Sequence, residues 1–168
     1  MRIGIDIDDT LVSTSDSFDA VRKKYNINFS KSWKDEWTKE EMNIIFSKYL
    51  EEILLGAKFK ENSIKIVNQL YDLGHELIII TARRNKYCES IEEKTLDILQ
   101  REGLKISKVY FGQSKKSDLA KRINIDLMID DSRYVYDNMK KDDIDCILFG
   151  DKIKSWKEVF EYIKRMEE

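Results

Sequence analysis

Three carboxylates fall within four residues near the start of the chain: Asp6, Asp8 and Asp9 in Met1-Arg-Ile-Gly-Ile-Asp-Ile-Asp-Asp-Thr-Leu11. Like charges this close repel, and an acid at the end of a buried strand is costly to desolvate. A bound cation reverses that penalty. Other apolar runs end in matching chemistry. Leu77-Ile-Ile-Ile80 leads into Thr81-Ala82-Arg83, and Leu127-Met-Ile129 leads into Asp130-Asp131-Ser132. Ser114-Lys-Lys-Ser117 opens a helix ahead of the latter run. Open α/β sheets bind ligands in the crevice beyond the carboxyl ends of their strands. Acids, a hydroxyl, a lysine and two further acids would therefore converge on one edge.

The period-2 geometry of a strand puts Asp6 and Asp8 on one side of the chain, unless the backbone turns between them. Asp130 could then join Asp6 around one hard cation, and an all-oxygen donor set suits Mg²⁺. A carboxylate beside that ion can attack phosphorus, while a second acid protonates the leaving oxygen and later activates water. Thr81 and a lysine would hold the equatorial phosphoryl oxygens. Other chemistries are excluded by composition. The one histidine, His75 in Asp-Leu-Gly-His-Glu, rules out a multi-histidine metal site and reads as a turn residue. Cys88 and Cys146 have lysine, not arginine, six residues on, so neither opens a cysteine-phosphatase loop; both read as buried structural thiols.

The elements that must position these groups alternate. Ile3–Ile7, Leu77–Ile80, Val109–Phe111, Leu127–Ile129 and Ile144–Phe149 are short continuous apolar runs, which predict strands covered on both faces. Between them, a helix from Glu61 to Leu73 ends at Gly74, and one from Tyr87 to Glu102 ends at Gly103. Ser155-Trp-Lys-Glu158 is a capping box for a last helix. The predicted fold is α/β, a Rossmann-like parallel sheet flanked by helices. Residues 13–59 break the rhythm with helical signals alone. Phe18, Val21 and Tyr25 mark one helix; Thr38-Lys-Glu-Glu41 caps another, with Trp37 and Met42 at staple positions and an apolar stripe running from Met42 to Leu54. The expected division is an α/β core over 1–12 and 60–168, with an all-helical lid over 13–59.

A chain of 168 residues suffices for one such core and a small insertion. Charged residues make up 37%, above the roughly 25% of ordinary soluble domains, yet 30 basic residues nearly balance 32 acidic ones. No overall field argues for a nucleic-acid or membrane partner. The chain shows no N-terminal signal, no apolar run near the roughly 20 residues that span a bilayer, and no disulfide framework, so a cytoplasmic protein is expected.

In order and spacing, Asp6-Ile-Asp8-Asp-Thr10, the run ending in Thr81, a lysine ahead of the fourth strand and Ile129-Asp-Asp131 resemble the four motifs of the haloacid-dehalogenase-like (HAD) phosphatase superfamily. The helical insertion resembles its C1-type cap. The resemblance implies strand order 5-4-1-2-3 and an aspartyl-phosphate mechanism with Mg²⁺. It makes Asp6 the nucleophile and Asp8 the general acid/base, its backbone carbonyl on the metal. Asp130 would ligate the metal, Asp131 would act through a water, and Thr81 would bind a phosphoryl oxygen. Thr10, Ala82 and Arg83 fall among the phosphate- or substrate-binding positions. Lys116 is favoured as the phosphate lysine, with Ser114 capping its helix, while Lys115 and Lys121 stay open. Aspartate at position 9 departs from the glycine more common in the superfamily. With Thr-Ala-Arg and Ile-Asp-Asp-Ser, it is closer to the 5′(3′)-deoxyribonucleotidase branch, which implies a nucleoside monophosphate substrate.

Simpler roles compete at several positions. Arg83 and Arg84 fit a solvated loop as well as a substrate contact, and Arg133 need only solvate its helix. Trp33, Trp37, Phe18 and Tyr49 fit a lid core better than a base-stacking platform. A sugar-phosphate phosphatase or a phosphotransferase would share the mechanism. A polynucleotide 3′-phosphatase would want a basic groove, which the balanced charge does not favour. A receiver-type signalling domain would carry its acceptor aspartate on a middle strand, where Thr81 and Gly112 stand instead.

Overall fold

The computed structural model describes residues 1–28, 32–33 and 36–168. Five parallel strands lie in the order β3-β2-β1-β4-β5: β1 (Arg2–Ile5), β2 (Glu76–Ile80), β3 (Lys108–Tyr110), β4 (Leu127–Asp130) and β5 (Asp145–Leu148). This is the expected order. The continuous apolar runs arise because alternate residues enter two different cores. Ile3, Ile5, Leu77, Ile79, Leu127 and Ile129 pack against Val67 and Leu70 of α4 (Ser63–Asp72) and Trp156, Val159 and Ile163 of α8 (Trp156–Glu167). Ile78, Ile80, Met128 and Cys146 face the other way, onto Leu119 of α6 (Lys116–Arg122) and Val135 and Met139 of α7 (Arg133–Lys141). Gly4 faces this second core at the centre of the sheet. A Cβ there would come 2.7 Å from Met128 Sδ and 3.1 Å from Ile80 Cδ1, so any larger residue would have to push those side-chain ends aside.

The chain leaves the sheet after β1 and returns beside itself. Ser13 N–H donates to the Lys58 carbonyl and Lys60 N–H to the Leu11 carbonyl, each at 2.8 Å. Between these points run α1 (Thr14–Lys24), α2 (Lys39–Lys48) and α3 (Leu50–Gly56). They enclose a cluster of their own, Phe18, Val21, Ile45 and Ile53, onto which Trp33, Trp37 and Tyr49 pack. Leu50 and Leu54 of α3 instead meet Ile91 of α5 (Ile91–Arg101). Among the described residues, no helix is long and apolar enough to cross a membrane.

Several local expectations need correction. The stripe from Met42 to Leu54 is two helices, not one, with a break at Tyr49 (φ −123°, ψ −14°), and Gly56 lies inside α3 rather than beyond it. The break lets Ile45 and Ile53 face α1 while Leu50 and Leu54 face α5. The helix expected from Tyr87 starts at Ile91, because Ser90 is left-handed (φ 57°) and Asn85 and Glu92 exchange side chain-to-backbone bonds that hold a loop. Ser114 does not cap α6; Lys115 stands at the N-cap with no side-chain bond. Cys88 is only half-buried, whereas Cys146 is buried and its thiol is pushed up to about 12, mainly by that burial. His75 is more than a turn residue: it is buried, with Nδ1 3.3 Å from the amino terminus. Burial holds its pKa down, partly offset by Glu167.

Candidate active site

Register brings the strand ends together. Ile5 of β1 pairs with Ile79 of β2 and with Ile129 of β4, so Asp6, Thr81 and Asp130 emerge along one edge. Asp6 N–H donates to the Ile129 carbonyl at 3.0 Å, which seats the first acid beside the fourth strand. The chain then turns tightly, with Leu11 and Val12 N–H both donating to the Ile7 carbonyl.

That turn separates Asp8 from Asp6. The carboxylates that cluster within 4.8 Å of one another are Asp6, Asp130 and Asp131; among the described residues Asp8 is not one of them. Lys116 Nζ donates to Asp6 Oδ1 at 2.5 Å and to Asp130 Oδ2 at 2.7 Å. Asp130 Oδ1 accepts from Ser132 N–H, whose own hydroxyl caps α7. Thr10 Oγ1 lies 3.4 Å from Asp131 Oδ1, and the Thr10 carbonyl accepts from Trp156 Nε1 at 3.0 Å. Thr81 is fully buried; its Oγ1 accepts from Arg83 N–H at 3.2 Å, which leaves its own O–H hydrogen to donate. Ala82 is exposed. Of the three lysines, Lys116 alone reaches the acids: Lys115 is exposed, and Lys121 pairs with Asp142.

Asp8 has a separate environment. Its Oδ1 accepts from Thr14 Oγ1 at 2.6 Å and from Arg83 Nη2 at 2.8 Å, and its Oδ2 accepts from Arg83 Nε at 3.1 Å. Arg83 is therefore a buried partner of Asp8 rather than a solvated loop cation. Sequence reasoning missed this pairing, since 75 residues separate the two. The fate of Asp9 also lay outside the sequence reading. Its backbone is left-handed (φ 57°), and its carboxylate accepts from Ser15 N–H at 2.8 Å and Ser15 Oγ at 2.5 Å, so it caps the start of α1 instead of joining the acid cluster.

Electrostatics distinguish the acids. Burial pushes the Asp6 carboxyl well above its usual range; Asp130 and Asp8 add to this, against the opposing Lys116 ammonium. Burial also opposes ionisation of Asp8, but the Arg83 charge and its hydrogen bonds outweigh it, and Asp8 lies below its usual range. Lys116 is raised, since Asp6 and Asp130 outweigh its desolvation. Three carboxylates against one ammonium leave two formal negative charges among hard oxygen donors. That donor set fits a divalent ion such as Mg²⁺.

The aromatic residues fall elsewhere. Trp33, Trp37, Met42, Ile45, Phe46 and the acid Glu36 line a cavity of about 420 Å³ that shares no residue with the acid cluster. Phe18 lies 4.8 Å from Trp37 and 5.7 Å from Trp33, ring centre to ring centre, so these rings pack on one another.

No protein-family model and no curated protein matches the chain. Solved structures do. A predicted phosphatase from Clostridium acetobutylicum superposes with a TM-score of 0.67 at 15% identity, covering 98% of each chain. A HAD-superfamily hydrolase of subfamily IA from Geobacter sulfurreducens gives 0.61 at 10%, covering 96% of this chain and 95% of that one. A HAD-superfamily hydrolase from Ehrlichia chaffeensis gives 0.57 at 12%, covering 99% and 97%. At such identities the likeness is one of architecture, and on it the chain has the fold of the HAD-superfamily hydrolases.

Proposed function

We propose that this protein is a Mg²⁺-dependent phosphomonoesterase that works through an aspartyl-phosphate on Asp6, with a nucleoside monophosphate as its substrate. The observation that carries the reading is the meeting of Asp6, Asp130, Asp131 and Lys116 at the carboxyl ends of β1 and β4, beside Thr81 at the end of β2. Asp6, Asp130 and the Asp8 backbone carbonyl would hold the metal, with Asp131 acting through a water; the ion would supply charge stabilisation for the phosphoryl oxygens. Asp6 attacks phosphorus. Lys116 and the Thr81 hydroxyl donate to the equatorial oxygens, where charge spreads in the transition state. The arriving phosphoryl dianion is a like charge beside Asp8 and favours its protonated form, which can serve the leaving oxygen. In the second half-reaction Asp8, ionised again, takes a proton from the water that hydrolyses the aspartyl-phosphate. The helices of residues 13–59 would act as a cap that keeps bulk water from the acyl phosphate.

The nucleotide preference rests on the sequence resemblance alone. Phosphate release from deoxy- and ribonucleoside 5′- and 3′-monophosphates, sugar phosphates and a 3′-phosphorylated oligonucleotide, each with Mg²⁺ and with chelator, tests both levels. Metal-dependent release concentrated on deoxynucleotides supports the whole reading. Release from sugar phosphates or the oligonucleotide keeps the mechanism and removes the nucleotidase assignment. No release from any ester removes the phosphatase.

A further inference from the structure

Among the described residues, Asp8 and Arg83 form the most completely buried ion pair away from the acid cluster. The Arg83 side chain is 4% exposed, while that of Asp8 keeps 24%. The pair is thus closed on the arginine side and open on the carboxylate side. Arg83 spends its donors on four acceptors in three parts of the chain: Asp8 Oδ2 and Oδ1, the Leu54 carbonyl of α3 at 3.1 Å, and Thr95 Oγ1 of α5 at 3.2 Å. Four of its five N–H donors are thus engaged, and at 4% exposure the guanidinium presents almost no surface to an incoming phosphoryl group, so the geometry does not favour Arg83 as a phosphate ligand. Stability by itself gives little reason for a guanidinium here. A buried ion pair is weak evidence for stability, because apolar residues of similar volume often serve as well. What a guanidinium provides that an apolar side chain does not is a two-point contact that fixes the plane of a carboxylate.

We propose that Arg83 is a positioning residue: it sets the orientation of the Asp8 carboxylate at the reacting oxygen and ties that orientation to α3. The proposal rests on the phosphomonoesterase reading above. Thr14 supports the same orientation from α1 through its 2.6 Å bond to Asp8 Oδ1. Two helices of the excursion and one of the core thereby meet at a single carboxylate, through Thr14, the Leu54 carbonyl and Thr95.

The role has a kinetic signature that a merely structural one lacks. When Asp6 attacks p-nitrophenyl phosphate, the bond from phosphorus to the phenolic oxygen breaks and the leaving group departs as a stable anion, with no proton needed from Asp8. An alkyl ester leaves as an alkoxide unless Asp8 protonates it. Hydrolysis of phosphorylated Asp6 requires Asp8 in either case. Rapid-quench kinetics with Mg²⁺ on wild-type protein, Arg83→Met and Arg83→Lys separate the steps.

In Arg83→Met, the first nitrophenolate turnover keeps the wild-type rate to within about threefold, and a burst approaching one per chain is seen as the second step slows. Turnover of alkyl esters falls by about 10²-fold or more, the scale of a lost acid–base contribution, and phosphorylated Asp6 accumulates. Arg83→Lys, with the charge but not the fork, lies between. Thr95→Val, which removes one support of the guanidinium, shows the same selective loss to a smaller degree and carries the test if Arg83→Met does not fold. Equal losses for both leaving groups with the burst gone, or unchanged alkyl turnover, overturn the positioning role. If wild-type protein itself gives neither burst nor phosphate, the phosphatase reading has failed and takes this role with it.

Discussion

Lys116 Nζ lies 2.5 Å from Asp6 Oδ1, and both side chains are more than nine-tenths buried. The same ammonium reaches Asp130, so one lysine neutralises part of an acid cluster that would otherwise repel itself. Removing it leaves buried carboxylates with no cation. Lys116→Ala should lower the unfolding free energy of the metal-free protein by about 3–5 kcal/mol, the cost of breaking a buried pair from one side. Lys115→Ala, at an exposed position, should stay within about 0.5 kcal/mol. Urea unfolding in chelator measures both, and equal effects would remove Lys116 from its place in the cluster.

The raised Asp6 predicts a direction for pH and metal together. Unfolded aspartate loses its proton near 3.8, whereas folded Asp6 keeps it to higher pH. Between those values the unfolded state gains more from ionisation, so Asp6 lowers metal-free stability as pH rises through that window. Metal binding needs the ionised form and competes with the proton. The melting-temperature gain from Mg²⁺ should therefore increase with pH across the same window. Asp6→Asn should flatten that increase and cut phosphate release by a factor on the order of 10³ or more. Substantial residual turnover would exclude Asp6 as the nucleophile.

Asp9 tests whether an acid in a motif must be a ligand. Its left-handed backbone and its two bonds to Ser15 imply a local structural role. Asp9→Ala loses both bonds and keeps the unfavourable φ, costing about 1–2 kcal/mol. Asp9→Gly loses the bonds but fits the φ, so it should cost less. Thermal melts with and without Mg²⁺ should show this order with the metal-dependent gain unaltered in both; a lost gain would place Asp9 at the metal.

Trp156 links the last helix to the site. Its ring is fully buried, and Nε1 donates to the carbonyl of Thr10, whose hydroxyl approaches Asp131. Trp156→Phe keeps most of the apolar contact and leaves that carbonyl unpaired, at a cost of about 1–3 kcal/mol. The same variant should need more Mg²⁺ for half-maximal activity, because Thr10 no longer holds Asp131 in place. A stability loss with no change in the metal requirement would confine Trp156 to the core.

Much of the architecture was legible because each layer leaves a local mark. Runs such as Leu77–Ile80 are apolar at every position because the sheet is covered on both faces, and Ser155-Trp-Lys-Glu158 writes a helix start into four residues. The acids at the ends of the first and fourth strands could be anticipated because strand ends are where a parallel sheet exposes backbone and binds ligands. Less legible were features decided by competition between elements. The break at Tyr49 depends on α3 having to face both α1 and α5, and the late start of α5 depends on the bonds between Asn85 and Glu92.

The amino-acid order by itself therefore determined the strands, their parallel arrangement and which groups would arrive at the sheet's edge, since these follow from periodicity and caps within a few residues. Only the tertiary structure decided how those groups are shared out. Asp6, Asp130 and Asp131 gather at one edge with Lys116 bonded to the first two, Asp9 turns aside to cap α1, and Asp8 goes to Arg83. That allocation depends on contacts as distant as the 110 residues between Asp6 and Lys116. Carboxylates of the same type look alike in sequence; burial and the nearest cation make them different.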